Sequence, residues 1–443
     1  MPTSSDIARR CETEDIDLVR LLFVTPNGVV RAQSVAADDI ATAIDEGVPA
    51  SKLVHAYNAL GFRKKDGRFD AAGEVLLRPD PATFRTLPYA DRCGGMLCDV
   101  RTLADSPWAA DPRTTLSSLI ETIASADLVP SVAFESEFHL LAEKEDELVP
   151  TDGRGAYATA STRDTHEFVL AVRDALADQG ISVGKYYPEW GAGKHEIVLD
   201  HGPALTAADE HVLFKETVES VAATHGYQAT FLPKPATHST NGCHIHCSLW
   251  DGSNNRFAGS DGISETAASF IAGVLEHAPG LTALTAGTVN SYARLRPQVG
   301  ATAFTCWGYG NREALVRVPG HAAGATDAVR IEYRAADNTA NPYIALIGLL
   351  AAGLDGIKRE LSPPEPLDSD PGNLSVDERD RRGIERLPTT LREALTALAD
   401  DRVLRNALGA ELYQTYLDVK RSHWEAFTES AATWERDRLR NVY

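Results

Sequence analysis

The segment Val132-Ala133-Phe134-Glu135-Ser136-Glu137-Phe138 alternates apolar with polar residues, and two of the polar residues are carboxylates. Side chains two residues apart on a β-strand lie on the same face, so Glu135 and Glu137 are predicted to share one face of a sheet. Neighbouring carboxylates repel each other unless a cation neutralises them. The segment therefore predicts a strand at a charged site, and the alternative is a strand whose polar face is open to water.

Two further segments show the same alternation. In His244-Ile245-His246-Cys247-Ser248-Leu249 the polar groups are imidazoles and a hydroxyl, and in Arg330-Ile331-Glu332-Tyr333-Arg334 they are guanidinium groups and a carboxylate. Three such strands favour one sheet whose concave face gathers Glu, His and Arg. Two more acids, Glu189 and Glu196, flank a Gly-Ala-Gly loop. A set rich in oxygen ligands with imidazole suits Mg²⁺ or Mn²⁺ better than Zn²⁺.

Arginines cluster in the segments that follow the histidine strand: Arg294, Arg312, Arg317, Arg330 and Arg334. Guanidinium groups beside divalent metals bind phosphates and carboxylates, which favours phosphoryl transfer. The alternative is a set of structural Arg–Glu pairs. The sequence contains no Gly-x4-Gly-Lys-Ser/Thr motif, so ATP, if it is used, is not held by a P-loop.

The composition excludes several classes of partner. Acidic residues outnumber basic ones by 63 to 43 in 443 residues, which gives a formal charge of −20 and disfavours nucleic acid and anionic membranes. The scarcity of Lys among the basic residues predicts a halophilic host. No apolar run approaches the roughly 20 residues of a membrane span, and no export signal precedes the first strand, so we expect a cytoplasmic protein. The six cysteines form no metal or disulfide pattern and are predicted to be reduced and buried.

The chain is predicted to contain two domains. Residues 16–34 read as two strands around the turn Pro26-Asn27-Gly28, and a short helix at 38–46 and strands at 74–78 and 95–100 complete a unit that spans residues 1–105. Residues 106–443 form the larger domain. Its predicted helices at 114–125, 163–179, 206–225 and 264–278 alternate with strands at 131–141, 182–198, 228–234 and 243–250, and its tail at 388–435 is helical.

These segments, in this order, resemble the glutamine synthetase family over nearly the whole chain from about Ile16. The resemblance also rests on Phe231-Leu232-Pro233-Lys234-Pro235, Asn290-Ser291-Tyr292-Ala293-Arg294-Leu295, Asn311-Arg312 and Ala340-Asn341-Pro342-Tyr343. It implies an α+β fold, with a β-grasp N-terminal domain and a catalytic domain built on a curved antiparallel sheet flanked by helices. It also implies an ATP-dependent ligase that joins the γ-carboxylate of glutamate to an amine through γ-glutamyl phosphate. The assembly it implies is a homo-oligomer, usually a dodecamer, with sites completed by a neighbour's N-terminal domain.

The resemblance also assigns roles to residues, with two or three Mg²⁺ or Mn²⁺ ions per site. One metal would be held by Glu137, Glu189 and Glu196, and another by Glu135, His244 and Glu332. ATP would be contacted by His246, Ser248, Arg317 and Arg330. Arg294 and Arg334 would bind glutamate, and Arg312 would stabilise the transferring phosphoryl group.

The sequence departs from the family where ammonia would bind. The two acids typical of that site are replaced by Ser51 in the N-terminal domain and by Gly300 in the flap. We therefore expect an organic amine such as putrescine or another polyamine as acceptor, as in the glutamate–putrescine ligase branch, with Ser51 and Gly300 in the amine pocket. Glu189 is the candidate base. The alternatives are a glutamine synthetase proper, in which Asp66 or Asp70 serves ammonia, and a non-catalytic regulatory relative.

Further departures concern the neighbouring segments. The Asn-Gly that contacts glutamate in the family is Ser239-Thr240, the His-His pair before the third acid is Tyr187-Pro188, and the usual Gln is Lys194. Ser375 stands where some bacterial members carry an adenylylated Tyr, so we expect no such regulation.

Overall fold

The computed structural model describes residues 2–236, 239–260, 262–320 and 324–439. The strands are β1 (Leu18–Val24), β2 (Val30–Ala36), β3 (Val48–Ser51), β4 (Glu74–Pro79), β5 (Arg85–Thr86), β6 (Cys93–Arg101), β7 (Val129–Lys144), β8 (Glu147–Pro150), β9 (Val183–Pro188), β10 (Lys194–Leu199), β11 (Gly202–Pro203), β12 (Tyr227–Thr230), β13 (Cys243–Asp251), β14 (Asn254–Asn255), β15 (Ala258–Gly259), β16 (Gly262–Ile263), β17 (Trp307–Tyr309), β18 (Val316–Val318) and β19 (Ile331–Tyr333). The α-helices are α1 (Ser4–Thr13), α2 (Ile40–Glu46), α3 (Pro112–Ala124), α4 (Thr159–Asp164), α5 (His166–Asp178), α6 (Ala204–Thr224), α7 (Glu265–Glu276), α8 (Ala278–Thr285), α9 (Ser291–Arg294), α10 (Pro342–Lys358), α11 (Val376–Arg381), α12 (Leu391–Asp400) and α13 (Arg402–Leu439).

The N-terminal part of the chain forms a mixed sheet in the order β2-β1-β6-β4-β3, with β1 parallel to β6. The predicted hairpin is confirmed, since β1 and β2 pair in antiparallel register around Pro26-Asn27-Gly28. Helix α1 is not predicted from the sequence, and a capping box formed by Thr3 and Asp6 begins it. Buried side chains between Ile7 and Ala110 form a core of their own beneath this sheet.

A larger, mainly antiparallel sheet follows in the order β17-β18-β19-β13-β7-β10-β9, in which only the pair β17 and β18 of this described path is parallel. The central strand β7 pairs with β13 on one side and with β10 on the other. Helices α6, α7, α8 and α10 pack into the core against this sheet. The α+β class and most helices and strands predicted from periodicity are confirmed. The predicted helix 163–179 corresponds mainly to α5, the predicted strand 182–198 is the pair β9 and β10, and the predicted strand 228–234 ends at Thr230.

Helix α10 has no predicted counterpart, and its composition explains why. It begins at Asn341, whose side chain accepts from Ile344 N, and nearly all its residues are buried. A helix that is apolar on all faces has no amphipathic period from which to predict it. Helix α13 contains a kink at Gly409, whose φ is 71°.

A buried guanidinium joins the two parts of the chain. Arg113 at the start of α3 forms two hydrogen bonds with Asp209 on α6, at 2.9 and 2.7 Å. Its remaining donors reach Asp99 on β6 at 2.6 Å and Asp80 at 2.8 Å. The N-terminal and C-terminal parts are therefore held by one charge network, while the domain boundary at residue 105 stays a prediction.

All six cysteines are buried and unpaired, as predicted. Within the described ranges, no helix combines the length and apolar character that crossing a bilayer requires.

Candidate active site

The sheet register brings the alternating polar residues together. His244 on β13 lies opposite Glu135 on β7, and Glu196 on β10 lies opposite Glu137. On the far side of β13, His246 lies opposite Glu332 on β19. Because these positions all have the same parity in the pleat, their side chains gather on one face. The concave charged face is thus the one that the strand alternation predicts.

Glu135 lies at the centre of the first group. Its Oε2 atom is 3.1 Å from His244 Nδ1 and 3.4 Å from His246 Nε2. His244 Nδ1 is also 3.1 Å from Glu332 Oε1. Ligand atoms of Glu135, His246 and Glu332 all lie within 4.8 Å of one another. Two carboxylates and an imidazole at this spacing fit a Mg²⁺ or Mn²⁺ ion, with a second imidazole in reach.

Neighbouring cationic and hydrogen-bonding groups favour the charged form of both carboxylates of this group, because they lower the pKa of each. Burial opposes the charged form of Glu332, but Arg334 and the imidazole of His244 hold its pKa well below the ordinary value. Burial likewise opposes ionisation of Glu135, and hydrogen bonds from His244 and His246 lower its pKa. Arg317 Nη1 lies 2.5 Å from Glu332 Oε2, and Arg334 pairs with the other oxygen. Fixed cations therefore balance this charge before any metal binds.

The second group, Glu137, Glu189 and Glu196, is organised differently. Lys194 Nζ lies 2.8 Å from Glu137 Oε2, and both side chains are buried. The Tyr187 hydroxyl donates to Glu196. Burial, with the charges of Glu135 and Glu137, raises the pKa of Glu196 well above its ordinary value. Such mutual repulsion fits a site that a cation completes.

These three carboxylates do not converge as closely as the first group. Among the described residues, their oxygen atoms form no set in which all lie within 4.8 Å of one another. A metal ion here would compete with Lys194 for Glu137.

Two cavities meet at Glu135. The larger, of about 780 Å³, is lined by four of the five other candidate metal ligands and by residues of the flap and of the arginine-bearing segments: Glu137, Glu189, Glu196, His244, Gly300, Arg312, Glu313 and Arg334. The smaller, of about 310 Å³, contains His246, Ser248 and Arg330, which are predicted to contact ATP. Arg330 Nε donates to His246 Nδ1 at 3.0 Å. Glu135 therefore lies where the two cavities meet. Phosphoryl transfer requires two substrates held side by side, and two adjoining cavities can hold them in this way.

Arg294 lies behind this wall. It is 1% exposed, and its guanidinium donates to the backbone carbonyls of Ala335 at 3.1 Å and Arg334 at 2.9 Å. A Cβ atom at Gly242 would lie 2.6 Å from Arg294 Nη2 and 2.9 Å from His244 Nε2, so only glycine fits there. Arg334 lines the larger cavity, whereas Arg294 supports it from beneath, and a direct contact between Arg294 and glutamate stays a prediction.

The two candidate residues of the amine pocket lie in different places. Gly300 lines the larger cavity with a φ of 73°, and nothing lies within 4 Å of the Cβ atom that another residue would add. Ser51 lies on β3, where its hydroxyl accepts from Leu53 N at 3.2 Å. Ser51 is not on the wall of this cavity within one chain, so its predicted role depends on a neighbouring subunit.

Some residues of the cavity are absent from the sequence-based predictions. Glu313 is one of them, although an acid directly after the Asn311-Arg312 motif was a usable signal. Tyr157 and Trp190 also line the cavity with exposed rings. Loop conformation decides whether such residues face a site, and periodicity carries no information on loops.

Comparison with known proteins identifies the family. The model of the glutamine synthetase catalytic domain matches residues 109–439. The chain belongs to the glutamine synthetase family. The glutamine synthetase of Thermococcus kodakarensis is 35% identical over 92% of this chain and 89% of that protein. The glutamine synthetase of Halobacterium salinarum is 35% identical over 96% of this chain and 94% of that protein.

Solved structures of this family share the fold. A structure of GmaS with ADP has a TM-score of 0.87 and 31% identity, and it covers 98% of this chain and 99% of its own. GmaS without ligand has a TM-score of 0.86, 32% identity and 99% coverage of both chains. The glutamine synthetase fold and the enzyme class, an ATP-dependent carbon–nitrogen ligase, are confirmed.

Proposed function

We propose that this glutamine synthetase family member joins the γ-carboxylate of glutamate to an organic primary amine, with ATP as the phosphoryl donor. The observation that carries the proposal is the open space at Gly300 in the larger cavity. In the family, a carboxylate at this position binds ammonium. Here the position offers no side chain, and a substituent on the acceptor nitrogen can occupy the vacated volume.

The similar solved structures support an organic acceptor. GmaS is a γ-glutamylmethylamide synthetase, a branch related to the putrescine ligases. The likeness favours a short alkylamine over the polyamine that the sequence alone favours. The curated relatives named glutamine synthetase support the second candidate, synthesis of glutamine from ammonia.

The ammonia alternative needs an acid that the flap lacks. Asp70 lines a different cavity of about 590 Å³, together with Lys52, Arg68 and Glu411. Asp66 is exposed and lines neither of the two cavities that meet at Glu135. Within one chain, neither acid is placed to serve ammonium at Gly300.

The residues of the two cavities divide the reaction between them. Ser248, His246 and Arg330 would hold the nucleotide in the smaller cavity. Glu135, His244 and Glu332 would hold a divalent cation, which when bound neutralises charge on the ATP phosphates. Glu137, Glu189 and Glu196 would hold a further cation beside the larger cavity.

Charge neutralisation by arginine carries the phosphoryl step. The γ-carboxylate oxygen of glutamate attacks the γ-phosphorus of ATP, and ADP leaves. Arg334 would orient the glutamate, and the exposed guanidinium of Arg312 would stabilise the charge on the transferring group. The amine nitrogen then attacks the acyl carbon, phosphate leaves, and a base takes the proton.

Product analysis tests the proposal. Purified protein with ATP, glutamate and Mg²⁺ or Mn²⁺ is given ammonium, methylamine, ethylamine, putrescine or spermidine, and ADP release is measured with the product mass. The proposal predicts γ-glutamylamides and little glutamine. Turnover with ammonium alone would establish the second candidate. The dodecameric assembly, the cytoplasmic location and the halophilic host stay predictions.

A further inference from the structure

Glu313 and Gly300 both line the larger cavity. Its backbone N–H donates to Asn311 Oδ1 at 3.0 Å, which fixes the loop after Asn311. Its half-buried carboxylate lies close enough to the backbone N–H of Gly300 for that group to lower its pKa. The loop that carries Glu313 and the flap that lacks an acid therefore meet at this carboxylate.

The other acids of the cavity already have partners. Glu137 pairs with Lys194, and Glu196 accepts from Tyr187. Glu189 accepts from the Trp190 backbone N–H. Like Glu189 and Glu196, Glu313 has no ion-pair partner within 4.0 Å among the described residues. Because Glu313 lies beside Gly300, where the flap acid is missing, it is the cavity carboxylate best placed to bind a substrate cation there.

The charges around Glu313 favour the binding of one more cation. Asp370, from the segment before Pro371, adds a negative charge, and Arg334 at the end of β19 adds a positive one. Burial is the largest influence on Glu313 and raises its pKa. A carboxylate in this position gains stability from an ammonium group and is a better proton acceptor than an exposed one.

We propose that Glu313 binds the ammonium form of the acceptor amine and takes its first proton. This inference rests on the proposed function and assigns the acceptor to the class of primary alkylammonium ions. The alkyl group would lie in the space at Gly300, and the nitrogen would lie at the carboxylate.

The proton balance of the step is simple. The ammonium nitrogen gives one proton to Glu313, and its lone pair attacks the acyl carbon of γ-glutamyl phosphate. The carbon–oxygen bond to phosphate breaks, and the second proton leaves with the phosphate. Glu313 then returns its proton to water. Glu313 therefore replaces, from the opposite loop, an acid that the family supplies from the flap.

The Glu313→Gln variant tests this role, because it keeps the shape and removes the charge. The loss of a charge-assisted hydrogen bond is expected to raise the KM for methylamine by about tenfold to a hundredfold. The KM values for ATP and glutamate are expected to stay within about twofold, because Glu313 would contact neither. Glu385→Gln, which neutralises an exposed acid that lines neither of the two cavities at Glu135, is the matched control and should change none of them.

A second variant distinguishes the loss of the charge from a loss of the fold. Glu313→Asp keeps the charge and should retain a KM for methylamine closer to wild type than Glu313→Gln does. An unchanged KM for methylamine in folded Glu313→Gln overturns the assignment, as does an equal increase in both variants. If wild-type protein makes only glutamine, the proposed function fails instead, so the two failures are distinguishable.

Discussion

The ammonium group of Lys194 lies 2.8 Å from Glu137 Oε2, in a pair whose side chains are 6% and 9% exposed. Glu137 is a candidate metal ligand, and Gln is the usual residue at the lysine position. A buried ammonium fixed to one ligand reduces the charge that a divalent ion would meet. A metal ion that binds Glu137 must therefore compete with the ammonium group of Lys194.

Lys194→Gln is expected to strengthen binding of Mn²⁺ several-fold, because it frees Glu137 from its partner. Titration followed by electron paramagnetic resonance measures free Mn²⁺ directly. Lys185→Gln is the control, because Lys185 packs over the Tyr187 ring without touching Glu137. Weaker or unchanged binding in Lys194→Gln would show that Glu137 and Lys194 are not in competition with a metal.

Glu332→Gln is expected to lower ADP formation by about a thousandfold or more, since one carboxylate ligand and its charge are lost from the first metal group. The amide has nearly the same shape, and a thermal melt reports whether Arg317 and Arg334 still hold it. Near-normal ADP formation would remove Glu332 from the metal site.

Gly300→Glu is expected to raise the KM for alkylamines by about tenfold, because a carboxylate would fill the space for the alkyl group and repel Glu313. Any residue other than glycine is strained at a φ of 73°, so Gly300→Ala is the matched control for strain. Equal kinetics for the two variants would mean that the carboxylate does not enter the acceptor pocket.

Arg113→Ala is expected to destabilise the protein by about 3–5 kcal/mol, because removing one partner of a buried pair leaves Asp209 uncompensated. Urea unfolding measures the change. The control is Arg9→Ala, which breaks an exposed pair with Asp6 and should change stability very little, because solvent screens exposed ion pairs. Similar effects from both variants would contradict the role given to the Arg113 network.

His277 predicts a pH-dependent part of the stability. Burial alone would lower its pKa, but hydrogen bonds with Asp401 at 2.7 Å and Asp355 at 3.2 Å raise it above 6.5. A raised folded-state pKa means that the stabilisation is complete below about pH 6.5 and is lost as the pH rises through the folded-state value. The stability difference between wild type and His277→Gln should therefore shrink between pH 6 and pH 9. A difference that is constant or grows over this range would contradict a charged His277.

The cluster around His277 has the spacing of a metal site but already contains a cation. Glu276, His277 and Asp355 also come within ligand distance of one another. Arg359 already pairs with Glu276 at 2.5 Å and with Asp355 at 2.9 Å. Arg359 already supplies the positive charge that these carboxylates need, so we assign no metal ion to this group.

Strand residues of the site were predictable, and loop residues were not. The two-residue period placed Glu135 with Glu137 and His244 with His246, because the pleat alone determines the face. The position of Glu313 depends on how two loops meet, and no local pattern encodes that. The Lys194–Glu137 pair depends in the same way on strand register across β7 and β10. Helix α10 was missed because burial on all sides removes the helical period, and the predicted role of Ser51 requires a second subunit, which stays a prediction.

A competition between two acceptors tests the central claim most directly. Wild-type protein is given ATP, glutamate and equal concentrations of ammonium and methylamine, and the products are separated by mass. The account predicts that γ-glutamylmethylamide exceeds glutamine and that the Gly300→Glu variant shifts the ratio toward glutamine. A wild-type product that is mostly glutamine would contradict the account.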